Sequence, residues 1–212
     1  MRDFKTALEL LRQLGLYPKT VVDAGVAHGT PALYQTYPDA YYFLFEPIQE
    51  FIPYLENHLK IIKGEYHLVA VADREGEVSI SSPEKLGGSS IMGPSKQGRV
   101  VPQITLDKFF ADKTIETPLL IKTDCQGADL LVIKGAVNTL KYCEAVILEV
   151  PMAHYFSGNC PDFTDVVSWM GTQGFRVFDL LDPLNRSSDG ALGQIDVVFV
   201  KEDSPIIANA RW

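Results

Sequence analysis

Three cysteines are all the chain has, Cys125, Cys143 and Cys160, and they lie far apart, in neither a CxxC nor a Cys/His metal spacing. An odd, scattered set excludes a disulfide framework and points to reduced thiols in a reducing compartment. Long apolar runs are also missing. No stretch approaches the roughly twenty apolar residues that cross a bilayer. The start of the chain carries Arg2, Asp3, Lys5, Glu9 and Arg12, which interrupt the apolar core that a signal peptide needs. A soluble, cytoplasmic protein with no membrane partner is therefore expected. Basic residues are in deficit, 19 Lys and Arg against 27 Asp and Glu, for a formal net charge of −8. With no basic run to track phosphates, nucleic acid is not an expected partner. Repeats, low-complexity segments and linkers are absent as well, so residues 1–212 are read as a single domain, long enough to bury a continuous core.

What is there is an alternation of strands and helices. Phe4, Ala7, Leu8, Leu11 and Leu14 recur at helical spacing, with Asp3 as N-cap and Gly15 as stop, which predicts an amphipathic helix within residues 1–18. Residues 20–22 read as a short buried strand, and Thr30-Pro31 as the start of a helix reaching about Tyr37. The run Tyr41-Tyr42-Phe43-Leu44-Phe45 is the pattern of a strand covered on both faces. A helix from about Gln49 to Ile61 and a third strand over 66–71 follow. Further strands are expected over 119–123, 145–148, 175–180 and 195–200, with helices over 128–140 and 163–173. Between them, residues 73–102 contain a half-exposed strand over 77–81 but are otherwise rich in Gly and Ser. They read as an irregular insertion, a candidate lid over an acceptor. Strands alternating with helices imply a Rossmann-like, doubly wound, mainly parallel sheet of seven strands with helices on both faces.

In such a sheet ligands bind outside the carboxyl ends of the strands, where strand order reverses. Asp23, Gly25, Ala27 and Gly29 follow the first strand, Glu46 and Pro47 the second, Asp124 the fourth and Glu149 the fifth. Gly25 permits a sharp turn, and the small residues Ala27 and Gly29 let a cofactor lie against bare backbone. Glu46, 21 residues after Gly25, is placed to accept the two hydroxyls of a ribose. A dinucleotide fingerprint wants glycine at 25, 27 and 30, whereas the chain has Gly25, Ala27 and Thr30, which disfavours an NAD-type oxidoreductase. Small residues at 25, 27 and 29 preceded by an acid suit S-adenosylmethionine, whose ammonium the Asp23 carboxylate would help to neutralise.

From Val21 to about Val200 the chain resembles the FkbM-type methyltransferases. Val21-Val22-Asp23-Ala24-Gly25-Val26-Ala27-His28-Gly29 is similar to the family's first motif, and Phe45-Glu46-Pro47 to its ribose-binding element. Ala70-Val71-Ala72-Asp73 is similar to its third-strand turn and Thr105-Leu106-Asp107 to its "TLD" segment. The most specific stretch is Ile121-Lys122-Thr123-Asp124-Cys125-Gln126-Gly127-Ala128-Asp129, where Gln126 and Asp129 replace two usual glutamates.

The resemblance implies an S-adenosylmethionine-dependent methyltransferase, with Asp23, Gly25, Ala27, Gly29, Glu46, Pro47, Ala70, Val71 and Asp124 holding the cofactor. It further implies O-methylation of a hydroxyl on a sugar or small metabolite, which calls for in-line geometry and a general base. Asp124 is the first candidate for that base, with capping of the next helix as its alternative role. Glu149 is second, with pairing to Lys122 as its alternative, and His154 is third. No spacing among Asp124, Glu149 and His154 demands a metal. Gln126 and Asp129 keep open a non-catalytic cofactor-binding module. The expected partner is a small-molecule acceptor, and a homodimer is left open.

Overall fold

The computed structural model describes residues 1–81, 86–92, 98–154 and 160–208. The chain runs through α1 (Phe4–Gln13), β1 (Thr20–Ala24), α2 (Pro31–Thr36), β2 (Tyr41–Phe45), α3 (Ile52–His58), β3 (Lys63–His67), β4 (Ala70–Val71), β5 (Gly76–Ile80) and β6 (Arg99–Ile104). It continues through α4 (Leu106–Phe110), β7 (Leu119–Thr123), α5 (Asp129–Lys134), β8 (Cys143–Pro151), α6 (Phe163–Thr172), β9 (Phe175–Asn185), β10 (Leu192–Lys201) and α7 (Pro205–Ala208). Among the described residues, seven strands form one sheet in the order β3-β2-β1-β7-β8-β10-β9, parallel except that β10 runs against both its neighbours. This is the doubly wound architecture expected. Among the described residues, no helix is long and apolar enough to cross a membrane.

All five residues of β1 and of β7 are buried, because helices cover both faces of the sheet. On one face Leu8 and Leu11 of α1, Leu33 of α2 and Leu55 of α3 pack on Val21, Leu120 and Val198. On the other, Leu106, Phe110, Ile133, Val166 and Met170 pack on Val22, Ile121 and Val197. Each such aliphatic side chain contributes on the order of 1.5–3 kcal/mol on burial. The opening helix is capped as expected, Asp3 Oδ1 accepting from the Thr6 N–H at 2.8 Å. Pro31 opens α2, but the Thr30 hydroxyl makes no capping bond.

Several boundaries differ from expectation. The third strand lies at 63–67, where it pairs as the sheet edge with β2, rather than at 66–71. The apolar residues Ala70 and Val71 leave the main sheet as β4. The segment 73–102 is not irregular throughout: β5 pairs antiparallel with β6, and β4 pairs with the end of β6, making a second sheet of order β4-β6-β5. The helix expected over 128–140 divides into α5 and a 3-10 turn over Thr139–Tyr142.

Helix α4 begins in the Thr105-Leu106-Asp107 segment, and its residues have distinct jobs. Thr105 Oγ1 caps the helix by accepting from the Lys108 N–H at 3.1 Å. Asp107 accepts from the backbone N–H of Asn138 (2.9 Å) and of Thr139 (2.8 Å) and from the Thr139 hydroxyl (2.8 Å), latching α4 to the turn before β8. Asp107→Ala leaves these donors without a partner and is expected to lower stability by about 1–3 kcal/mol. Urea denaturation checks it; an unchanged midpoint would show that the latch contributes nothing.

Candidate active site

Strand order reverses between β1 and β7, and a cleft of about 390 Å³ opens beyond their carboxyl ends. The β1–α2 turn forms one wall. Gly25 has φ 76°, Ala27 φ 44° and Gly29 φ 101°, all in the left-handed region. Glycine is obligatory at 25 for a second reason: a Cβ there would stand 2.0 Å from the Asp124 carbonyl oxygen. The missing side chain at this crossing lets the ends of β1 and β7 come together. The strained turn is held by Glu46, whose Oε2 accepts from the Ala27 N–H (2.8 Å) and Oε1 from the Ile48 N–H (2.9 Å). Burial raises the Glu46 pKa, and the two backbone donors pull it partly back. A carboxylate oxygen holding one such bond has further lone-pair capacity, so Glu46, on the cleft wall, can still accept hydroxyl donors from a ligand.

The floor is ionic. Asp23 and Lys122 are directly paired across β1 and β7. Asp23 is fully buried; its Oδ2 accepts from the Tyr34 hydroxyl at 2.8 Å and its Oδ1 lies 3.3 Å from Lys122 Nζ. Burial alone would lower the Lys122 pKa, but Asp23 and Asp124, the latter 3.7 Å away, more than offset it and hold the ammonium charged. Lys122, not Asp23, lines the cleft. The Asp23 carboxylate, engaged by Tyr34 and Lys122, lies behind that wall.

Beyond Lys122 the carboxyl ends of β7 and β8 and the amino-terminal half of the antiparallel β10 gather acids. Gln126 Nε2 donates to Asp124 Oδ1 (2.9 Å) and to Glu149 Oε2 (3.0 Å), and Gln194 Nε2 donates to Glu149 Oε1. Asp196 is the cross-strand partner of Glu149. Burial, and then the charge of Asp124, push Asp196 up to about 7 and raise Glu149 well above the usual carboxylate range. Asp129 is pushed by burial to about 6, against the pull of the Thr123 hydroxyl.

Of the residues singled out from sequence, Gly25, Ala27, Gly29, Glu46, Pro47, Ala70, Val71 and Asp124 line this one cleft. Glu149 is bonded to its rim residue Gln126, and the alternative pairing with Lys122 is not formed, since that ammonium faces Asp23 and Asp124. Nor does Asp124 cap α5, whose N-cap is Ala128. His154 is not on the cleft wall: its Nδ1 meets the Cys160 carbonyl at 2.6 Å and its ring is largely exposed. Asp124, Glu149 and His154 do not converge as ligands. Among the described residues, His154, Asp162 and Asp165 do lie close together, but the two acids are engaged in the capping box of α6. Sequence reasoning missed Asp196 and the cleft role of Lys122, each a charged residue inside a buried strand, which was the signal to follow. It also missed that Ile80, Leu86 and Ile91 of the insertion already wall the cleft.

Comparison with known proteins fits this geometry. Residues 23–177 match the methyltransferase FkbM domain family. No curated protein matches significantly. Among solved structures, the chain superposes on the magnesium protoporphyrin IX methyltransferase of Synechocystis PCC 6803, solved with bound S-adenosylmethionine, at TM-score 0.50 and 10% identity over 93% of this chain and 79% of that one. An rRNA methylase from Streptococcus thermophilus gives TM-score 0.50 and 12% identity over 95% and 97%. A putative RNA methyltransferase from Pyrococcus horikoshii gives TM-score 0.50 and 13% identity over 93% and 83%. At these identities the likeness is one of fold.

Proposed function

The chain belongs to the methyltransferase FkbM domain family and is an S-adenosylmethionine-dependent methyltransferase, and on that premise we propose that it methylates a hydroxyl of a sugar or other small metabolite. The observation that carries the reading is Glu46: a carboxylate fixed by two backbone N–H groups on the wall of a cleft of about 390 Å³ beside the glycine bend. Glu46 is assigned to the ribose hydroxyls, and the backbone of Gly25, Ala27 and Gly29, with Pro47, Ala70 and Val71, to the rest of the nucleoside. Lys122 suits the carboxylate of the amino-acid portion. Bound there, the cofactor supplies an electrophilic methyl group on a sulfonium.

The residues at the carboxyl ends of β7 and β8 and in the amino-terminal half of β10 take the acceptor. Asp124, whose side chain is 40% exposed, receives the hydroxyl proton as the oxygen attacks. Positioning supplies the remaining acceleration. Glu46, Asp124 and Asp196 on the wall, set against the net charge of −8, disfavour a phosphate-bearing polymer. The acceptor is accordingly a small molecule and not nucleic acid.

Calorimetry tests the cofactor site. S-adenosylmethionine and S-adenosylhomocysteine are expected to bind and NAD to fail. Glu46→Gln, which exchanges charge-assisted hydrogen bonds for neutral ones, is expected to weaken binding by roughly 10–100-fold. Unchanged affinity in that variant would remove the reading. Methyl transfer from labelled cofactor to a panel of hydroxylated sugars and metabolites tests the reaction; binding without turnover on any of them would favour a non-catalytic module.

A further inference from the structure

The amide of Gln126 occupies an unusual place. It stands where the family's wording has a glutamate, and its single nitrogen donates to carboxyl groups from two adjacent strand ends, Asp124 Oδ1 at 2.9 Å and Glu149 Oε2 at 3.0 Å. An amide nitrogen has two N–H bonds and so can serve both; a carboxylate has none. The backbone beneath it is pinned as well. Gln126 is a non-glycine residue at φ 51°, and its carbonyl accepts from the Ser90 hydroxyl of the insertion at 2.6 Å. Such strain persists only where surroundings over-determine it. The side chain therefore has little freedom to swing away from the two acids.

We propose that Gln126 is the positioning residue of the acceptor end, a clamp that ties Asp124 to Glu149 and holds Asp124 on the cleft wall, its Oδ1 on the amide and its Oδ2 on the side of Lys122. The proposal rests on the methyl-transfer reading for its function, but its geometry is independent of it. Around the pair stand Lys122 from β7, Asp129 from α5 and Asp196 from β10, with Gln194 bonded to the far oxygen of Glu149. One ammonium, already facing Asp23 and Asp124, thus stands beside this group of acids, and without amide donors between them, Asp124 and Glu149 could stay together only by sharing a proton. Burial and those charges already raise Glu149, so a third carboxyl at 126 could be borne only by retaining a proton.

The test is Gln126→Glu, followed by thermal unfolding across pH. The new carboxyl has a folded pKa raised above its unfolded value of about 4.3, so its cost is absent below that pH and grows as pH rises. The melting temperature is expected within about 1 °C of the parent at pH 4 and about 5 °C or more below it at pH 8. A difference that stays flat between those values would show that residue 126 does not bridge the acids and would overturn the clamp. Gln126→Met, which keeps length but has no donor, joins it in a second measurement. Both variants are expected to bind S-adenosylhomocysteine within about threefold of the parent. Both are expected to lose about tenfold or more in kcat on whichever acceptor of the panel the parent methylates. Full turnover in both overturns the positioning role. Failure of the parent to bind S-adenosylhomocysteine would sink the methyl-transfer reading instead, and the pH dependence of melting would still judge the clamp.

Discussion

Asp124→Asn is expected to lower the kcat of methyl transfer by about 10²–10⁴-fold, the range for loss of a general base, while S-adenosylhomocysteine affinity stays within about threefold. The substitution keeps shape and can still accept from the Gln126 amide, so the clamp and cleft survive; what is lost is an oxygen able to take a proton. Asp124 is placed for this by β7, whose last residue Thr123 pairs with Ala24 just before the Gly25 bend. The acid therefore stands at the switch point, on the cleft wall, beside Lys122. Asp196 is the competitor, since it lines the same cleft and burial has moved it to about 7, a suitable value for a base near neutral pH. The pair Asp124→Asn and Asp196→Asn separates them by steady-state kinetics. Retained turnover in the first with loss in the second would transfer the role to Asp196.

What sequence could and could not reveal follows from where information is local. β1, β2 and β7 were readable because strands buried on both faces are near-continuous apolar runs, and their ends carry Gly25, Glu46 and Asp124 in fixed sequence relation to them. The edge strand β3 lies earlier than expected because its residues Lys63–His67 are mostly polar and partly exposed, while the apolar signal of 68–71 belongs in part to β4 of the second sheet. β6 was hidden by Pro102, which interrupts a strand pattern. β4 reaches only Gln103 and Ile104, so at Pro102 the strand has a neighbour on one side alone, where a proline is tolerated. Lys122, Asp196 and the displacement of His154 depend on which residues face each other across strands and loops, which no local spacing encodes. Asp23 shows the same limit: its position at the end of β1 was legible, but not that Tyr34 and Lys122 would claim its carboxylate.

That buried pair carries the second large effect. Lys122→Met is expected to destabilise the fold by about 3–5 kcal/mol, a fall of roughly 10 °C in melting temperature for a chain of this size. Methionine fills the volume, so the loss arises from charge: Asp23 is left in the core with one hydroxyl donor from Tyr34 and no counter-ion. The double substitution Asp23→Asn with Lys122→Met should recover part of the loss, since a neutral amide no longer demands compensation. The pH dependence has a definite sign. In the parent, the raised Lys122 pKa contributes stability that is complete below about pH 10.4 and fades only as pH rises beyond it. Urea denaturation of parent and variant at pH 7.5 and at about pH 11 measures the loss and its fading. A loss below about 1 kcal/mol at pH 7.5 would mean that Asp23 finds other compensation in the core. Lys122 would then stand free of a structural duty, and any loss of cofactor affinity in the variant would report its contact with the ligand directly.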